Sequence, residues 1–231
     1  MDNSTTRRWE AEERKNKLKY FEETTAKENK GLLRGTIVKE LETINNDGEK
    51  VFKTIVRSKQ RKERENLIPV IIDEKALKEC DLEELVIFRH IKIIGEWRAL
   101  KTIDKNGKAH LKAFLYATKV KIDTELKDEN HLNLIGTIKK APIYRLSPGG
   151  YEITDVVITV KDENGLENVI PCVAWWDNAK MMKDLSVGTR IVLYGKMQSR
   201  NYFKFFSKDS NEGENRTAYE ISIISFREEE E

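Results

Sequence analysis

The stretch N-L-I-G-T-I-K-K at residues 133–140 repeats L-L-R-G-T-I-V-K at 32–39, an offset of 101. Two more segments recur in the same order. N-L-I-P-V-I-I-D at 66–73 returns as N-V-I-P-C-V-A-W at 168–175, an offset of 102, and I-K-I-I-G-E-W at 91–97 returns as I-V-L-Y-G-K-M at 191–197, an offset of 100. Three matches at nearly one spacing identify a tandem duplication. Each segment is short, apolar and rich in β-branched residues, the pattern of a strand.

Working outward through the second copy, strands are predicted at 132–140, 151–161, 166–176, 189–200 and 218–226, with S-P-G-G at 147–150 and D-E-N-G at 162–165 as turns. N-A-K-M-M-K-D-L at 178–185 reads as a short helix started by Asp177 or Asn178 and stopped by Gly188. Five strands with a helix between the third and fourth is the order of an OB-fold, a small Greek-key barrel. Gly35, Gly95, Gly136 and Gly195 fall inside strands, where a barrel must bend or bulge. The expected fold is therefore all-β, two tandem five-stranded barrels. The expected layout is a charged, irregular or partly helical arm at 1–30, a degenerate first barrel at 31–122, a linker at 123–131, a second barrel at 132–227 and an acidic end at 228–231.

The chain has 231 residues, 39% hydrophobic and 35% charged, enough for cores beneath a highly charged surface. It has no apolar run of membrane-spanning length and no signal-peptide pattern, so an intracellular, cytoplasmic protein is expected. Cys80 and Cys172 each sit among apolar neighbours and read as buried thiols. His90, His110 and His131 are scattered, and no metal, phosphate-loop or nucleophile motif is present. Neither a cofactor nor an enzymatic activity is expected. The net charge of +2 is uneven: residues 31–122 carry 20 Lys+Arg against 14 Asp+Glu. Local basicity suits a polyanion, although solvated faces are commonly charged too.

L-N-L-I-G-T-I-K-K-A-P-I-Y-R-L-S-P-G-G-Y-E-I-T-D-V-V-I-T-V at 132–160 resembles the opening of bacterial single-stranded DNA-binding proteins. The resemblance continues through V-I-P-C-V-A-W-W-D-N-A to L-S-V-G-T-R-I-V-L-Y-G-K-M-Q-S-R-N-Y and covers nearly all of 132–226. It implies a sequence-tolerant binder of single strands, in which aromatics on a sheet stack on bases while Lys and Arg follow phosphates. By this resemblance Trp175 and Tyr202 are base-stacking anchors, with Tyr144, Tyr151 and Phe203 as further candidates. Lys139, Lys140, Arg145, Lys196 and Arg200 are the expected phosphate contacts. Trp176, of opposite parity to Trp175, is expected in the core beside Ala174 and Cys172, and Trp97 likewise. Alternation along N-Y-F-K-F-F should bury two of Tyr202, Phe203, Phe205 and Phe206 and leave two available.

The family's other strand-three aromatic is matched by Val169. In the first copy Asp73 stands opposite Trp175 and Ile103 roughly opposite Tyr202, so its stacking surface is lost. It has instead R-S-K-Q-R-K-E-R at 57–64, a loop whose Arg57, Lys59, Arg61, Lys62 and Arg64 suit phosphates. Roles in DNA replication, recombination or repair follow from the resemblance, as does a homodimer. A protein-docking barrel and a single-stranded RNA binder are the alternatives the residues leave open. The chain stops at S-F-R-E-E-E-E, without the long acidic-tipped tail common in the family.

Overall fold

The computed structural model describes residues 29–46, 49–59, 65–103, 107, 109–147, 149–161, 167–206 and 212–229. The first half holds β1 (Lys30–Ile37), β2 (Glu42–Asn46), β3 (Glu49–Lys59), β4 (Glu65–Asp73), β5 (His90–Ile103) and β6 (Ala109–Ile122). The second holds β7 (Glu129–Ile138), β8 (Ile143–Leu146), β9 (Glu152–Lys161), β10 (Glu167–Trp175), β11 (Arg190–Phe205) and β12 (Gly213–Glu228), with α1 (Asp177–Met182) between β10 and β11.

Both halves close by the same cycle. β1 pairs with β5 along most of its length and with β3 at Thr36 and Ile37. β3 then pairs with β4, β4 runs parallel to β6, and β6 returns antiparallel to β5. β7, β9, β10, β12 and β11 repeat this order. The fold is all-β, with the strand order of an OB barrel. Glycine marks the tight places. Register shifts occur at Gly95 and Gly195, where an added Cβ would meet the carbonyl oxygen of Tyr116 at 2.2 Å or of Ser222 at 2.7 Å. A bulge brings the partner backbone that close only where no side chain intervenes.

β1 and β7 also pair with each other, Lys30–Arg34 against Asn133–Glu129, so all twelve strands form one continuous sheet with β2 and β8 at its edges. The stretch expected to be a linker is thereby part of the fold. Asp123 accepts two hydrogen bonds from buried Arg34, both at 2.7 Å, and lies 3.1 Å from Nδ1 of His90, whose Nε2 is 2.9 Å from Asp128. Glu125 and Glu129 complete the ring around Arg34 at 2.7 and 3.7 Å. The Arg34 guanidinium holds the Asp123 carboxyl down at about 2 against the pull of burial.

Other departures from the sequence reading are local. Each half has an additional short edge strand, β2 or β8. In the first half the helix is replaced by 3₁₀ turns at Glu74–Leu77 and Leu82–Glu84. α1 is only six residues long, and neither Asp177 nor Asn178 caps it: Trp176 is the N-cap residue, and Asn178 donates to the carbonyl of Ile224 instead. Trp97 is fully buried, and Cys80 and Cys172 are buried free thiols, as their apolar neighbours implied. Residues of both halves share one hydrophobic cluster.

Candidate nucleic-acid interface

On β10, Ile170, Cys172 and Ala174 point into the core, which turns Trp175 to the outer face, where it is half-buried. Strand register assembles the rest of that face. Arg145 lies across from Ile153, and Ile153 across from Trp175. Val173 adjoins Ser222, which faces Lys196; next along, Glu220 faces Gln198 and Ala218 faces Arg200. The structure thus gathers Trp175, Arg145, Lys196, Arg200 and Tyr202 on one side of one sheet.

Two of these cations already hold carboxylates. Arg145 binds Asp155 at 2.6 and 3.0 Å, which raises its pKa, and Arg200 reaches Glu220 at 3.1 Å while lying 5.4 Å from the Tyr202 ring centre. A phosphate on this face therefore competes with Asp155 and Glu220. Lys139 and Lys140 are elsewhere, exposed just beyond β7, with Lys139 3.3 Å from Glu167.

Trp176 overturns its expected place in the core. The strand ends at Trp175, and Trp176 adopts φ 52° as it turns into α1, its N–H donating to the carbonyl of Glu152. Alternation no longer governs it, and its indole is 52% exposed. It lies 6.1 Å from Trp175 and 6.3 Å edge-on to exposed Tyr151, so three aromatics run together at this end of the barrel. The sequence signal was present in the D-N-A-K that follows, since a helix starting at Asp177 takes the preceding residue out of the strand.

Tyr144 projects to the other side, across from buried Thr154. Its hydroxyl donates to Glu152 at 2.7 Å, and Lys183 lies 5.3 Å from its ring. Glu152 also binds Lys180 at 3.0 Å, and these two partners hold its carboxyl below the usual range. Lys180 and Lys183 went unnoticed in the sequence, although their i,i+3 spacing on a short helix places both on one side.

The hairpin of β11 and β12 supplies a second aromatic group. Tyr202 is half-buried, whereas Phe203, Phe205 and Phe206 are all exposed, so the expected burial of two does not occur. Among the described residues, Arg200–Phe205 and Gly213–Ala218 pair in the sheet only with each other. Phe203 and Phe205 meet edge to face at 5.1 Å.

In the first half Asp73 does stand where Trp175 stands, as the pairs Val51 with Asp73 and Ile153 with Trp175 show. It is occupied: one carboxylate oxygen caps the 3₁₀ turn at Ala76 and the other accepts from the Tyr116 hydroxyl at 2.7 Å, while Arg98 covers the Tyr116 ring at 4.0 Å. Aligned on the bulges at Gly95 and Gly195, Thr102 corresponds to Tyr202 and Ile103 to Phe203. Arg57 and Lys59 belong to β3 rather than to a loop, 3.9 and 3.8 Å from Glu65. Arg61, Lys62 and Arg64 lie outside the described residues.

Comparison with known proteins places this geometry. Residues 129–227 match the single-strand binding protein family. The structure is similar to that of the wild-type single-stranded DNA binding protein from Thermus aquaticus, with a TM-score of 0.67 at 16% identity over 88% of this chain and 94% of that one. A deletion mutant of the same protein gives 0.65 at 15% identity over 88% and 95%. Identity this low speaks for the fold alone. No curated protein matches the chain.

Proposed function

We propose, from the match of residues 129–227 to the single-strand binding protein family, that the chain binds single-stranded DNA, without chemistry and without regard to sequence, in DNA replication, recombination or repair. One observation carries the reading. The half that matches the family is also the half whose aromatics stand exposed at the barrel end and on the hairpin, while the equivalent Asp73 of the first half is engaged internally.

Bases stack on Trp175, Trp176 and Tyr151, and again on Tyr202, Phe203 and Phe205. Every base has a π-face, so such platforms tolerate any sequence at about 1–3 kcal/mol per base. Arg145 and Arg200 guide phosphates by exchanging a carboxylate partner for a phosphate oxygen, and Lys196 adds charge to the same face. We place the chain in the cytoplasm as two barrel domains, the first serving association into a homodimer and the second holding the strand.

Tryptophan fluorescence titrated with oligo-dT, oligo-U and duplex DNA at two salt concentrations tests this. Oligo-dT is expected to quench saturably and to bind more weakly as salt rises. Equal affinity for oligo-U widens the ligand to RNA. Absence of quenching by oligo-dT, or equal binding of duplex, overturns the proposal.

A further inference from the structure

The barrel end between β10 and α1 has two sides. On one, Trp175 and Arg145 belong to the outer face of the sheet; on the other, α1 packs on β9, where the Thr154 hydroxyl donates to the Ala179 carbonyl at 2.8 Å. Trp176 stands at the corner between them, because its left-handed backbone has already left the strand.

The helix side carries cations of its own. α1 buries Ala179 and Met182, three residues apart, so Lys180 and Lys183, which follow them, share an exposed flank. Side chains at this spacing start about 5–6 Å apart, close enough to hold neighbouring phosphates of one strand. Lys183 lies 5.3 Å from the centre of the Tyr144 ring and Lys180 binds Glu152 at 3.0 Å, while the other oxygen of Glu152 accepts from the Tyr144 hydroxyl at 2.7 Å. Glu152 also ties this group to the aromatic corner. Its carbonyl accepts from the Trp176 N–H, and its neighbour Tyr151 meets the Trp176 indole edge-on at 6.3 Å.

We propose that a bound single strand turns off the sheet around Trp176 and that Lys180 and Lys183 take its backbone phosphates there, with the Tyr144 ring as the stacking surface beside them. The proposal rests on the single-strand binding argued above and extends its path to the side of β8 opposite Arg145. An ammonium is a point charge with three donors on a flexible stem, which follows a phosphate without reading a base. Both lysines are exposed, and among the described residues Glu152 is the one carboxylate bonded to either. A part-exposed ion pair contributes little to stability, so Lys180 exchanges Glu152 for a phosphate oxygen readily, and the strand gains from the counterions it releases.

The first half provides the contrast. Its 3₁₀ turn at Glu74–Leu77 and the residue after it present exposed Lys75 and Lys78, yet Asp73 and Glu74 stand in place of Trp175 and Trp176, and Asp73 caps the turn. Cations are present there without the aromatic corner that would lead a strand to them.

The test is the salt dependence of binding, followed by tryptophan fluorescence on the full chain with oligo-dT of about 16 nucleotides, the long end of what one OB barrel covers. Lys180→Gln combined with Lys183→Gln is expected to lower the slope of log affinity against log salt by about 1.4, which is about 0.7 for each lost phosphate. Lys75→Gln combined with Lys78→Gln removes as much charge and is expected to keep the parent slope. Glu152→Gln frees Lys180 and should tighten binding at low salt by about two- to fivefold. The proposal is overturned by a parent slope in the Lys180 and Lys183 variant, by an equal drop in the Lys75 and Lys78 variant, or by Glu152→Gln binding no tighter than the parent. A parent chain that oligo-dT does not quench removes the single-strand reading and this extension with it, whereas a parent that binds while the slope stays unchanged removes the extension alone.

Discussion

Trp176 and Phe88 share a left-handed backbone and an exposed ring, with different consequences. Trp176 at φ 52° sits beside Trp175 and Tyr151, within reach of any base that stacks there. Its removal leaves no cavity, so Trp176→Ala should lower affinity for oligo-dT by about 1–3 kcal/mol with the melting temperature unchanged; an unchanged affinity would confine stacking to Trp175 and the hairpin. Phe88 at φ 69° holds the place of Gly188, as matching hydrogen bonds show: Phe88 N–H to the Ile37 carbonyl and Gly188 N–H to that of Ile138, both at 2.9 Å. A bulky residue in that region is strained by roughly 1–2 kcal/mol, and an 81% exposed ring offsets none of it inside the fold. Phe88→Gly should therefore raise stability in chemical denaturation, by up to about 1 kcal/mol once the greater freedom of glycine in the unfolded chain is allowed for. At this scale Trp175 and buried Trp97 were legible because alternation holds inside a strand. Trp176 was not, because one residue of turn suffices to cancel it.

Among the elements, the acidic stretch 123–129 was the hardest to read. Composition marked it as a spacer, since nothing local shows that its carboxylates meet Arg34 and His90, which lie dozens of residues earlier. The repeats themselves were legible because glycine and apolar period survive divergence. The edge strands β2 and β8 were not, being short and poorly patterned. The ion cluster gives an acid signature. Arg34 lowers the Asp123 carboxyl from 3.8 to about 2, so the folded state binds that proton less readily than the unfolded chain. The resulting stability is fully present above about pH 4 and is lost as pH falls toward about 2. Thermal melts over that window should show a steeper loss for the parent chain than for Asp123→Asn. Parallel curves would mean that the Arg34 pair adds no differential proton binding.

For the whole molecule, duplication predicts two units, yet the ladder between β1 and β7 and a hydrophobic cluster drawn from both halves tie them together. The sequence could not reveal this, since a strand's second edge partner leaves no mark on its own pattern. If the halves were independent, calorimetry would show two transitions of about half the total enthalpy each. The shared sheet argues otherwise: opening either half strips Lys30–Arg34 or Glu129–Asn133 of its partner and unpairs backbone that the other half satisfies. We expect a single transition whose van't Hoff and calorimetric enthalpies agree. Residues 129–231 produced alone should then expose the edge of β7 and self-associate through it in light scattering, because an unpaired strand edge is a ready template. Two resolved transitions in the full chain, or a strictly monomeric fragment, would show that the β1–β7 ladder contributes little to the coupling of the halves.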